Sequence, residues 1–374
     1  MNHQLKTNLA GLALLAVCGV ASASPCDDVV TQYAGFVSSN NTANANQALS
    51  NHPECFGGGA TTSQVQINST TVQQVNAISS AIGARFGDTT PKQQASVATK
   101  SMAAGGQSGA WSAWGSLNHN DTRQSYLALN SATTTNDNKI LNTVLGADYA
   151  LSPTMVWGVS AAFDSGTGSA LNNGFGNLVN NMTSKGYTIA PYFGMQINNE
   201  LTLDASAGLG RGEIAIAKSA DAASSSDVTT ESSRRFAAAN LSYNQWRNQV
   251  QWTGKLGYLH AEEDYADSKT RGVTAAGSGA KNTLGQLHLG AQAGYWMDGF
   301  MPYAGLAYTS DLYRSTTQFG TPSDPIGKSS VVWTIGINFF SLKNSMTGGL
   351  AYSQEEGRTN QKNNTLLANL NIRF

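Results

Sequence analysis

Histidine, cysteine and clustered carboxylates are the first places to look for chemistry, and this chain offers few of them. Beyond Ala23 the histidines are His52, His119, His260 and His288. A hydrolase needs a nucleophile, a base and an orienting group converging on one site, or an acid and a base around an activated water. Only His260, followed by Glu262, Glu263 and Asp264, brings such groups within a few residues of one another. A solvated acidic loop beside an interfacial histidine explains that run without catalysis. No Gly-x-Ser-x-Gly sequence sits on a strand-to-helix turn, and no His/Cys spacing matches a metal site. The expectation is therefore a protein that is not an enzyme, with no catalytic, cofactor or metal residues.

The elements that hold these residues announce themselves at the carboxyl end. In Thr365 to Phe374, Leu366, Ala368, Leu370, Ile372 and Phe374 alternate with Thr365, Asn369, Asn371 and Arg373, with one lapse at Leu367. A strand with one oily and one wet face, ending on an aromatic residue, reads as the closing strand of an outer-membrane β-barrel. Composition agrees. Charged residues make up 12% of the chain, well below the roughly 25% of soluble domains, yet mean hydropathy is only -0.25. No run approaches the ~18 apolar residues of a spanning helix, so a membrane crossing must use strands, each needing about 9 to 11 residues with half of them polar. A net charge of -1 supplies no basic field for nucleic acid.

The amino end sets the route. Lys6, the apolar run Leu9 to Val20 and the small residues Ala21-Ser22-Ala23 read as a signal peptide over 1–23. A lipoprotein reading at Cys18 is disfavoured by the bulk of Val17. Cys26 and Cys55 then lie in an exported segment, where oxidation favours a disulfide worth ~3 kcal/mol; two free thiols are the alternative.

From Trp111 onward, period-two segments predict twelve strands, near 111–118, 140–150, 155–163, 184–197, 201–211, 234–246, 249–260, 282–297, 300–310, 329–340, 345–355 and 364–374. Tight turns at Ser152-Pro153, Asn198 to Glu200, Arg247-Asn248, Asp298-Gly299 and Leu342 to Asn344 alternate with long connections at 118–139, 164–184, 212–233, 261–281 and 311–328. Short turns belong on the periplasmic side and long loops outside. Trp157, Trp252, Tyr295 and Phe339 are then expected in an inner aromatic girdle, and Phe163, Tyr187, Tyr258, Tyr308 and Tyr352 in an outer one.

Ahead of the barrel, Val72, Val75, Ile78, Ile82 and Phe86 recur at helical spacing, and Asn68-Ser69-Thr70 offers a cap, which predicts a helix over Ser69 to Phe86. At 1.5 Å per residue it would be ~27 Å long, about the height of a membrane barrel. Its thin apolar stripe and its Ser, Thr, Gln and Asn faces suit a polar pore. Asp148, Asp204, Lys255 and Arg373 occupy wet-face positions and are expected to face the lumen, some of them contacting the helix near Arg85 as a structural plug. Glu262 to Asp264 and Glu355-Glu356 read as acidic loops, solvated or binding divalent cations between neighbouring lipopolysaccharides.

This layout, with V-L-G-A-D-Y-A-L-S-P-T-M-V-W-G-V-S-A-A-F at Val144 to Phe163, K-L-G-Y-L-H-A-E-E-D-Y at Lys255 to Tyr265 and the I-R-F ending, resembles the translocator (β) domain of autotransporters of the type V secretion system, over about Ser69 to Phe374. The resemblance implies an all-β, twelve-stranded antiparallel transmembrane barrel with an N-terminal helix threading the lumen. It also implies assembly by periplasmic chaperones and the barrel-assembly machinery, which reads a final-strand signal at Leu370, Ile372 and Phe374. The expected domains are a signal peptide at 1–23, a short head at 24–64, a linker with the pore helix at 65–108 and the barrel at 109–374. The head departs from the family, whose passengers run to hundreds of residues. Isolated Asn68 and Asn76 do not match the Asn-Asn pair at which some relatives cut themselves. The expected function is passage of the protein's own N-terminal segment to the surface of a Gram-negative outer membrane by a monomer in contact with lipid and lipopolysaccharide. A passenger-less structural or pore-forming barrel, and more remotely a barrel hydrolase acting through His260, are the alternatives.

Overall fold

A computed structural model describes residues 59–87, 110–127, 133–172, 178–219, 228–270, 273–274, 279–317, 326–341 and 345–374, with a few isolated positions between 32 and 44. The signal peptide, Cys18, Cys26, Cys55, His52 and the turn at 342–344 lie outside the described residues.

The described chain is one helix and a closed sheet. Helix α1 (Gly59–Gly87) precedes β1 (Trp111–Leu127), β2 (Thr133–Ser152), β3 (Met155–Asn172), β4 (Leu178–Gln196), β5 (Leu201–Ser219), β6 (Val228–Arg247) and β7 (Val250–Tyr265). Two two-residue strands, β8 (Lys269–Thr270) and β9 (Val273–Thr274), form a small hairpin beside β6. Then follow β10 (Ala280–Tyr295), β11 (Phe300–Thr317), β12 (Ser329–Ser341), β13 (Met346–Glu356) and β14 (Gln361–Arg373). Apart from the small hairpin, each strand pairs antiparallel with its chain neighbours, β7 pairs with β10, and β1 pairs with β14 from Ser112 opposite Arg373 to Gln124 opposite Gln361. This is a closed twelve-stranded barrel, and closure leaves no backbone edge to face lipid.

Side-chain parity explains the closure. Along β3, Trp157, Val159 and Phe163 are exposed on the outer wall, while Val156, Ser160 and Ala162 are buried inside. The short turns share one rim. At Asp298-Gly299 both residues have positive φ, 50° and 103°, as a two-residue hairpin of matching twist requires. At Asn198 the side-chain oxygen accepts the amides of Glu200 and Leu201 at 2.9 and 2.8 Å. Trp111, Tyr149, Trp157, Trp252, Tyr295 and Phe300 are exposed near this rim; Phe163, Tyr187, Tyr258 and Tyr308 are exposed eight or nine positions higher, roughly 20–25 Å along the axis for tilted strands. Phe339 and Tyr352 are only half-exposed.

Two expectations are corrected. The connections drawn as long loops are mostly strand: β1 to β6 reach 17 to 20 residues and continue far beyond the outer aromatic row. There the outward side chains, such as Ser165 and Thr167, are as polar as the inward ones, so alternation of hydrophobicity disappears while the hydrogen-bonded ladder goes on. His119, Glu262 to Asp264 and Glu355-Glu356 therefore lie in strands rather than loops. Second, α1 begins at Gly59, so Asn68 and Ser69 are interior to the helix, not its cap, and the helix crosses the boundary expected at residue 64. The wall is also uneven, because β12, β13 and β14 have only 13, 11 and 13 residues.

The dry core is small and lies within the barrel. Val75, Ile78, Ile82 and Phe86 of α1 pack on Trp114, Val144, Val156, Ala190 and Tyr192 of the wall.

Candidate functional site

The lumen is the candidate site, and α1 occupies one side of it. Going up the helix from its end at the short-turn rim, Arg85 meets Asp148, Ser79 Oγ donates to Asp204 at 2.8 Å, Gln74 Nε2 donates to Ser160 Oγ at 3.2 Å, and Asn142 Nδ2 donates to the carbonyl of Thr70 at 3.0 Å. These contacts fix both tilt and direction: the carboxyl end of α1 sits at the short-turn rim and its amino end rises toward the long connections. From Thr70 to Phe86 the helix spans ~25 Å, the height of the lipid-facing band.

The inner anchor is a relay across four elements, β1, β4, β2 and α1. Trp114 Nε1 donates to Tyr192 Oη at 2.7 Å, Tyr192 Oη donates to Asp148 at 3.0 Å, and the other Asp148 oxygen takes Arg85 Nη1 at 2.8 Å. Arg85 Nη2 also donates to the carbonyl of Ala110, at 3.1 Å, just before β1. Arg373 of the last strand donates to the carbonyl of Ala84, satisfying an acceptor that helix termini leave open. A buried ion pair contributes little net stability but punishes any arrangement that separates it. The network therefore specifies where α1 sits. Asp204 is held by Ser79 and by Asn240 Nδ2 at 2.7 Å, and Lys255 is half-buried on β7.

Because α1 leans on β2, the β10 to β14 side of the lumen stays open as a cavity of about 480 Å³. Gln286, His288, Gln292, Thr334, Asn369 and Lys255 line it, and Leu367, the lapse in the last strand's alternation, faces it. Its outer end meets a buried ionic clasp. Asp311 takes Arg314 and Arg358 at 2.7 Å each, Arg358 Nε donates to Glu355 at 2.7 Å, and Arg358 Nη1 donates to the carbonyl of Gly327 at 2.8 Å. A β-bulge opposite Gly285 and Gln286 makes this possible, leaving Leu312 and Tyr313 outside so that Asp311 and Arg314 both point inward. A second buried cluster joins Arg234 to Asp164 and Glu263 across β3, β6 and β7. Strict alternation misses the first cluster because of the bulge, and sequence separation hides both.

The His260 run is divided by parity. Glu262 faces outward to Arg235 and, at 3.2 Å, Lys281; Glu263 faces inward to Arg234. His260 contacts Tyr313 and lies 3.3 Å from Glu262 on the outer surface, His119 is exposed on β1, and His288 lines the cavity. Among the described residues no group of His, Cys, Asp and Glu side chains converges as a metal site. Leu370, Ile372 and Phe374 are exposed on the outer wall beside the β1–β14 seam.

A closed twelve-stranded barrel with a lipid-compatible exterior and a helix anchored in a polar lumen defines an outer-membrane translocator barrel. The family model for the autotransporter β-domain matches residues 113–353, and the chain belongs to that family. Similar solved structures include the translocator domain of autotransporter NalP from Neisseria meningitidis (12% identity, TM-score 0.57, 84% of this chain and 100% of that one). The β-domain of the Bordetella autotransporter BrkA (14%, 0.53, 71% and 100%) and the transport unit of AIDA-I from Escherichia coli (12%, 0.51, 76% and 95%) are also similar. No curated protein sequence matches. At these identities the structures speak for the fold, and the family match places the chain in the outer membrane.

Proposed function

We propose that this translocator passes its own amino-terminal segment through the lumen and holds it at the cell surface. The observation that carries the reading is the polarity of α1. Its carboxyl end is tied to the periplasmic rim by Arg85–Asp148 and by Arg373, and its amino end points toward the outer side. In this reading the segment before Gly59 continues outward. In this reading the signal peptide delivers the protein to the periplasm, chaperones escort it, and the assembly machinery engages Leu370, Ile372 and Phe374 beside the seam. One closed barrel with its own helix works as a monomer among lipid and lipopolysaccharide.

The test is an epitope tag inserted after Ser24. On intact cells it should bind antibody and be removed by added protease while a periplasmic marker survives. A tag reached only after the outer membrane is permeabilised overturns the proposal.

A further inference from the structure

We infer that the outer wall carries a site for one molecule of lipid A, the phosphorylated and acylated disaccharide that anchors lipopolysaccharide, with an acyl chain in a recess across β4 to β7 and a phosphate against Arg211 and Arg235.

The recess follows from parity and register. An open groove of about 940 Å³ lies on the outer face of β4, β5, β6 and β7. The outward residues Ala207 and Ala237 pair across β5 and β6 on its floor, and Ala205 and Ala239 pair directly below them, so four alanines form one shallow block. Comparable positions on other strands carry large side chains, such as Leu145, Phe163, Leu289 and Ile335. Ile189 and Pro191 flank the groove on β4, His260 flanks it on β7, and Leu209 stands at its upper edge. Two adjacent strands of alanine, ~4.8 Å apart, make a floor about one hydrocarbon chain wide.

The cations stand at the outer end of the same groove. Arg211 lies two positions beyond Leu209 on β5, and Arg235 is opposite Leu209 on β6. Arg235 Nε donates to Glu262 at 2.6 Å, its guanidinium lies 3.5 Å from Asp264, and Lys281 on β10 reaches Glu262 at 3.2 Å. Higher on this face Glu213 is matched by Lys185 at 3.3 Å and Glu231 by Lys269 at 3.9 Å. Arg211 has no ion pair among the described residues, so it supplies an unmatched positive charge just beyond the apolar band. A guanidinium offers paired donors that fit a phosphate. The strands of Arg211 and Lys281 are three ladder spacings apart, roughly 14 Å, which suits a headgroup with a phosphate at each end better than the single phosphate of a glycerophospholipid. A second copy of the chain seated here by two-fold symmetry would set the unmatched cation against itself. The site lies outside the lumen and does not depend on export of the amino-terminal segment.

Native mass spectrometry of the full-length refolded chain in detergent, titrated with lipid A, tests this, with heat-modifiable gel migration as the check of folding. One lipid A should stay bound, and Arg211→Gln with Arg235→Gln should raise the concentration for half-occupancy roughly ten-fold or more. Ala207→Leu with Ala237→Leu, which fills the recess, should weaken binding to a similar degree, whereas Arg123→Gln, at an exposed cation on β1, should leave it unchanged. Phosphatidylglycerol should bind roughly ten-fold more weakly than lipid A, having one phosphate to offer. Should the arginine double variant fail to fold, Arg211→Gln alone, which breaks no ion pair, is read by the same criterion. Equal retention of lipid A by the wild type and the folded arginine variant overturns the proposal. So does phosphatidylglycerol binding as tight as that of lipid A, or a second copy of the chain retained in place of lipid.

Discussion

The Arg85 guanidinium and the Asp148 carboxylate meet at 2.8 Å inside the barrel, with side chains 3% and 2% exposed. One belongs to the helix and the other to the wall that surrounds it. Removing either partner leaves an uncompensated buried charge at a cost of about 3–5 kcal/mol, whereas replacing both with apolar residues of similar volume is close to neutral. Arg85→Met or Asp148→Leu should each make α1 susceptible to protease in the folded barrel. The double substitution should restore protection, as limited proteolysis followed by mass mapping of the helix will show.

Tyr192 stands behind that pair. Tyr192→Phe removes the hydroxyl that accepts from Trp114 and donates to Asp148, leaving a buried indole N–H and a carboxylate oxygen short of a partner. The expected loss is about 1–3 kcal/mol, read from urea unfolding in lipid vesicles. Tyr303→Phe, at a side chain that lines the cavity and has no hydrogen-bond partner to lose among the described residues, should cost less.

Helix and wall also meet at Gly194, where an added Cβ would lie 2.7 Å from Ile82 Cγ2. Gly194→Val should push α1 off β4 and lower the temperature at which the barrel loses its compact gel migration. Ile82→Ala, introduced into the same chain, should recover most of that loss by vacating the space.

On the outer wall, depth should set the cost of a charge. Leu350 lies four positions above the start of β13, within the apolar band, and Leu209 lies eight above the start of β5, level with the outer aromatics; both are well exposed. Leu350→Arg should destabilise the barrel by about 2–4 kcal/mol and Leu209→Arg by about 0–1 kcal/mol. Equal costs in vesicle unfolding experiments would mean that the lipid band is misplaced.

The strands that cross lipid were legible because the bilayer enforces contrast: Leu366, Leu370 and Ile372 against Asn369 and Asn371 leave no doubt about parity. Above the bilayer that contrast is lost, and β2 runs on through Thr133 to Lys139 without advertising itself. Helix α1 is lengthened in the same silence, since Gly59 to Asn68 has no sustained apolar stripe. Within the site, parity alone puts Asp148 and Asp204 on the polar face, and that is the face α1 meets. The clasp was out of reach: Asp311 and Arg358 are far apart in the chain, and the bulge at Leu312 breaks the two-residue rhythm on which such reading depends.

The uneven strand lengths give the molecule a skyline. With 20 residues, β2 climbs roughly 50 Å along the barrel axis, while β13, with 11, climbs under 30 Å. One flank thus stands as a parapet over the lipid headgroups and the other ends near their level, so the mouth is cut aslant. Because α1 leans on the tall flank, the helix rises beside the parapet rather than along the axis.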